Sequence, residues 1–107
     1  MTDSALGSPA TAPVQLIPLF VAKPGFEDEL RQLLADLQTA SRQDEGCLEY
    51  SVFSDEQDPR TFLLYEKWTS SAALDAHNEQ QHVKEFLRAA EPCMAEDLLV
   101  HRLRPIS

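Results

Sequence analysis

The sequence predicts an α+β domain of the ferredoxin-like kind, with elements in the order β-α-β-β-α-β and an antiparallel four-stranded sheet. Three observations lead there. Four short segments carry strand signals, at Val14–Ala22, Cys47–Ser54, 61–69 and Asp97–Arg104. The second and third are separated only by SDEQDPR, which makes them a hairpin. The other two gaps each hold a helical apolar stripe, so the helices fall between strands one and two and between three and four.

The 107 residues make one domain, read as a tail over 1–13, a folded unit over 14–104 and a short tail over 105–107. The first strand, VQLIPLFVA, puts Val14, Leu16 and Phe20 on one face and Ile17, Leu19 and Val21 on the other. Both faces are apolar, so both expect cover. Pro18 cannot donate to a ladder, and it predicts a bulge or a locally unpaired stretch. Pro24 and Gly25 break the strand, and Glu27, Asp28 and Glu29 suit the first turn of a helix. Phe26, Leu30, Leu33, Leu34 and Leu37 form its stripe; Arg42 lies near its end, and Gly46 is the expected C-cap.

In the hairpin, Pro59 suits the second position of the turn. The 61–69 strand carries Phe62, Leu64, Glu66 and Trp68 on one face, with Leu63, Tyr65 and Lys67 on the other. Ser70 can cap a short helix from about Ser71 to His77. A second helix runs from about Gln80 with Val83, Phe86, Leu87 and Ala90 inward, and Pro92 limits it. Helices cover one sheet face in this architecture. The other would expose Leu63, Tyr65 and first-strand side chains, and a second copy of the chain is the expected cover.

A net charge of −9, with nine scattered basic residues, excludes a nucleic-acid-binding surface. No apolar run reaches the ~20 residues of a membrane span, and no signal sequence is evident. With two unpaired-looking cysteines, Cys47 and Cys93, the expectation is a cytoplasmic protein with reduced, buried thiols. Three glycines, at 7, 25 and 46, cannot build a phosphate loop or a dinucleotide fingerprint.

The chemistry concentrates between Thr61 and His82. His77 can serve as a general base near neutral pH, or as a histidine that caps a helix end. Glu66 shares a face with Trp68, where a carboxylate is expensive to bury without a partner. It could orient His77 or fix the hairpin to the helix through an ion pair. Trp68, Tyr50, Tyr65 and Phe86 are candidate walls for an aromatic ligand, with Tyr65 better placed for a subunit contact. His82 could donate to a ligand or satisfy a loop carbonyl, and His101 has no chemical neighbour in the sequence. A metal site from His77, His82 and a carboxylate matches no established spacing, so no metal is expected.

GCLEYSVF, FLLYEKW, AALDAH and QQHVKEFL, in that order and spacing, resemble the antibiotic biosynthesis monooxygenase superfamily from about Val14 to Arg104. The resemblance implies a dimeric α+β barrel in which two subunits pack their sheets together, with a pocket between sheet and helices in each. It also implies a cofactor-free monooxygenase that oxidises a quinol, anthrone or polyketide-like phenol with O2. A non-catalytic small-molecule-binding dimer and a small-molecule isomerase remain the alternatives. The haem-degrading branch has an Asn, a Trp and a ligating His where this chain carries Pro18, Trp68 and Leu87, so haem is not expected.

Overall fold

The computed structural model describes residues 12–106. Most of the tail expected at 1–13 therefore lies outside the described residues. The elements are β1 (Val14–Val21), α1 (Glu27–Ser41), β2 (Cys47–Ser54), β3 (Thr61–Trp68), α2 (Ser71–Asn78), α3 (Gln81–Ala90) and β4 (Leu99–Leu103). The strands form one antiparallel sheet in the order β2-β3-β1-β4. With helices in the two crossovers, this is the predicted ferredoxin-like fold.

Strand parity sets the core. In β1 and β3 every second residue is buried: Val14, Leu16 and Phe20 beside Phe62, Leu64, Glu66 and Trp68. These side chains face the helices, whose stripes supply Leu30, Leu34, Leu37, Leu74, Val83 and Phe86. Burying a Leu or Phe side chain contributes about 1.5–3 kcal/mol, so this layer holds the sandwich together. Pairing of β1 with β3 stops after Leu16↔Glu66 and resumes in the same register at Leu19↔Leu63. Pro18 thus causes an unpaired gap and not a bulge. The bulge in the sheet lies between Cys47 and Glu49 of β2.

Two glycines are required by their turns. Phe26 N–H donates to the Lys23 carbonyl at 2.9 Å, closing a turn with Pro24 second and Gly25 third at φ 90°. The Cys47 N–H reaches the Asp44 carbonyl at 3.2 Å, and Gly46, at φ 85°, again takes the third position. Gly46 is therefore a turn glycine and not the cap of α1, which ends at Ser41 with Arg42 still right-handed. Arg42 turns away from the helix end and donates through Nε to the Tyr50 carbonyl at 2.7 Å. Gln38 accepts from the Val52 N–H at 2.9 Å, satisfying a donor on the edge strand β2.

Pro59 takes the second position of the hairpin turn, where Thr61 N–H donates to the Asp58 carbonyl at 3.0 Å. Ser70 caps α2 by accepting from the Ala73 N–H at 3.1 Å, worth about 1 kcal/mol. Leu87 departs from expectation: it is 48% exposed, because Val83, Phe86 and Ala90 complete the buried stripe of α3 without it. Cys93 is fully buried and Cys47 only half-buried; both are free thiols.

The opposite sheet face has no covering element among the described residues. It carries half-buried Ile17, Leu19, Leu63 and Tyr65. Phe53, Leu99 and Leu103 share it by register and are 56%, 50% and 40% exposed. Tyr65 donates its hydroxyl to Gln15 Oε1 at 2.6 Å across this face.

Candidate functional site

A cavity of about 360 Å³ lies between the helix-facing side of the sheet and α2 and α3. That is within the range of small-molecule pockets. Its wall is largely apolar: Leu16, Phe20, Leu64, Leu74, Val83 and Phe86 all contribute. Tyr50, Glu66 and His77 face it from inside, and Arg102 from the β4 side.

Glu66 reaches the cavity because β3 alternates and its inward positions include residue 66. It is 5% exposed. Its carboxylate accepts from Trp68 Nε1–H at 2.9 Å, two residues along the same face. Burial pushes its carboxyl up to about 7, against the opposing effect of the Trp68 hydrogen bond. At neutral pH this group is divided between acid and carboxylate.

His77 is 3% exposed, on the last turn of α2. Its ring lies over Trp68, with centroids 4.4 Å apart, and beside Tyr50 at 5.5 Å. Nδ1 lies 2.7 Å from Asp44 Oδ2. A carboxylate at Nδ1 selects the tautomer that donates there, which leaves Nε2 as the acceptor. Burial lowers the His77 pKa, opposed by the Asp44 hydrogen bond and charge. The imidazole is neutral at pH 7, with a carboxylate in place to stabilise the cation when it takes a proton. The Tyr50 phenol is pushed far upward, chiefly by burial, and stays protonated. The Ser41 hydroxyl beside it is buried without a well-formed hydrogen bond, though close enough to favour the phenolate slightly.

Asp44 is the residue that reading the sequence missed. The carboxylate partner of His77 is Asp44, and Glu66 binds Trp68. Asp44 sits in a polar run, RQDEG, that looks like a solvated turn. The usable signal was topological. A β2–β3 hairpin brings the loop before β2 beside the loop after β3, and Thr69 N–H does donate to the Gly46 carbonyl at 2.9 Å. His82 joins the same carboxylate, its Nε2 2.9 Å from Asp44 Oδ2. It lines a separate hollow with Leu33, Asp36 and Glu85, outside the main cavity.

Of the proposed aromatic walls, Tyr50 and Phe86 line the cavity. Trp68 is fully buried behind His77 and Glu66, and Tyr65 stands on the other sheet face. His101 pairs with Ile17 on that face too. The ligand atoms of Asp44, His77 and His82 all lie within 4.8 Å of one another, a set able to hold a divalent cation. Both imidazole nitrogens already contact the same carboxylate oxygen, so a cation would have to displace two hydrogen bonds.

A family model described as antibiotic biosynthesis monooxygenase matches residues 14–89. Among curated proteins, Rv0793 of Mycobacterium tuberculosis, named "Putative monooxygenase", is 28% identical over 96 residues, covering 90% of this chain and 94% of its own. The uncharacterized protein sll1783 of Synechocystis is 32% identical over 74 residues. That match takes in 69% of this chain but only 50% of sll1783. Among solved structures, PA3566 from Pseudomonas aeruginosa superposes with a TM-score of 0.84 at 30% identity, covering 92% of this chain and 98% of that one. No helix among the described residues is long and apolar enough to cross a membrane.

Proposed function

The chain belongs to the antibiotic biosynthesis monooxygenase family, and from that premise we propose that it is a cofactor-independent monooxygenase of a hydroxylated aromatic. The family and the name of its relative support a monooxygenase-like function on a small molecule. The finer reading rests on one observation: a neutral His77, backed by Asp44, faces a largely apolar cavity of about 360 Å³ that also contains Glu66.

In this reading His77 Nε2 takes the phenolic proton of a quinol-, anthrone- or polyketide-like substrate, and Asp44 stabilises the imidazolium. The electron-rich anion passes one electron to O2, the two radicals combine at a ring or benzylic C–H carbon as a peroxide anion, and the His77 imidazolium returns its proton to give the hydroperoxide. Loss of water, with that carbon's proton, leaves the quinone. The balance is substrate plus O2 to quinone plus water. Glu66, near half-protonated, can donate to a substrate oxygen or accept from it. The apolar wall excludes water that would compete for the anion. Two titratable groups in one cavity also suit a second reading, an isomerase that moves a proton beside a carbonyl.

The working unit is proposed to be a cytoplasmic homodimer closed over the bare sheet face, since a monomer rarely leaves so many apolar side chains uncovered. His77→Ala tests the reaction. A positioned base contributes about 10²–10⁴-fold, so oxidation of an anthrone should fall by that factor at pH 6–7. The loss should be much smaller at pH 9–10, where the substrate ionises unaided. A folded His77→Ala protein with the full rate across that range would refute the assignment.

A further inference from the structure

We propose that this cavity is built for an anionic aromatic, one that carries a carboxylate or similar negative group opposite its reacting hydroxyl, with Arg102 as the residue that binds the charge. The proposal rests on the aromatic-substrate reading above and names the class of substrate.

The sheet register fixes the geometry. Leu16 of β1 pairs with Glu66 on one side and with Arg102 on the other. The three residues therefore stand in one row across the sheet and point to one face, the face that lines the cavity. Adjacent strands lie about 4.8 Å apart, so Arg102 and Glu66 start roughly 10 Å from each other at the backbone. Between them the row is filled by a leucine, and Phe20, Leu64 and Phe86 continue the apolar wall. An aromatic skeleton fits this arrangement, with one polar end at Glu66 and His77 and the other at Arg102.

Arg102 is also unspent. Among the described residues, none of the ion pairs within 4.0 Å involves it; those found take Arg31, His77, His82 and Lys84. The chain has nine basic residues against eighteen acidic ones. Most of the other basic residues are unpaired as well, but Arg102 is the one lysine or arginine in the wall of this cavity. Glu66 is the one acidic residue in the cavity wall, and its raised pKa keeps it from supplying a full opposing charge. A guanidinium there offers the bidentate geometry that planar carboxylates favour, and a neutral phenol would not use it.

The test uses two ligands that differ by one carboxylate group, 2-naphthol and 6-hydroxy-2-naphthoate, the second having its hydroxyl and carboxylate at opposite ends of the ring system. Calorimetric titration of the full chain should find the carboxylate bound roughly tenfold to a hundredfold more tightly, the range of one charge-assisted contact. Arg102→Gln should abolish that difference and leave 2-naphthol affinity within about twofold. Arg102 is exposed on an edge strand, so the variant should fold, which circular dichroism checks. Equal binding of the two ligands by the unmodified protein overturns this proposal and leaves the aromatic reading standing, whereas a preference that survives Arg102→Gln overturns the role of Arg102. Failure of both ligands to bind overturns the aromatic reading and this proposal with it.

Discussion

Replacing Glu66 with glutamine should stabilise the protein, and by an amount that depends on pH. The carboxyl is moved from 4.5 to about 7 by burial. A folded-state pKa above the unfolded value means that the native state holds its proton while the unfolded chain gives it up. Stability is therefore lost as pH rises from 4.5, and the loss is complete above 7. At 1.36 kcal/mol per pK unit the full penalty is on the order of 3 kcal/mol. Glutamine keeps an oxygen for the Trp68 N–H and has nothing to ionise. Near pH 5.5 about 1 kcal/mol of the penalty is already present, and at pH 8.5 nearly all of it. Urea unfolding of both proteins at these two pH values, at one protein concentration, should show the gain from Glu66→Gln growing by about 2 kcal/mol. A gain that is flat between pH 5.5 and 8.5 would refute the burial argument for Glu66. Staying above pH 5.5 also keeps the acidic chain well charged, hence soluble.

Asp44→Asn should leave the fold intact but let the amide donate to His77 Nδ1, so that Nε2 carries the proton and cannot accept one. Oxidation at pH 7 should fall by up to about 10⁴-fold, the cost of a reversed tautomer in a comparable histidine–carboxylate pair, and 15N spectra of the imidazole would show the switch directly. Leu63→Asp places a charge on the bare sheet face and should yield monomers in sedimentation velocity, where the unmodified chain gives dimers. An unmodified chain that sediments as a monomer would end the dimer proposal.

Much of the fold was legible because burial is periodic. The alternation in β3 and the stripe in α1 are enforced by geometry, so residues 61–68 and Leu30, Leu34 and Leu37 declared their faces in advance. Where periodicity is weak, the reading slipped. Leu87 is apolar yet exposed, since the 3.6-residue repeat of α3 is complete without it. Gly46 followed a helix and looked like its cap, while its positive φ serves the next turn. In the site, Glu66 announced itself as a polar group at an inward strand position, and His77 as the histidine that ends the short helix after that strand. Asp44 did not, because a carboxylate in a charged loop has no local mark. Only closure of the hairpin and packing of α2 bring it under His77, 33 positions away. The division between His82 and the cavity depends on the angle of α3, which no sequence pattern encodes.

Gly46 has a bearing on which sequences can carry this site. A Cβ at residue 46 would stand 2.6 Å from the Ala73 Cβ and 2.9 Å from Thr69 Oγ1, where ordinary contacts begin at 3.4 Å. Ala73 lies one helical turn before His77, on the same side of α2. Any side chain at 46 would therefore lever the helix outward and carry the imidazole with it, while the glycine's own turn, two residues past Asp44, resists from the other side. Replacement at this position would disturb both the turn and the placement of His77. Gly46→Ala should lower stability in urea unfolding and shift the His77 imidazole resonances together; a variant as stable as the unmodified protein would refute the close approach to Ala73.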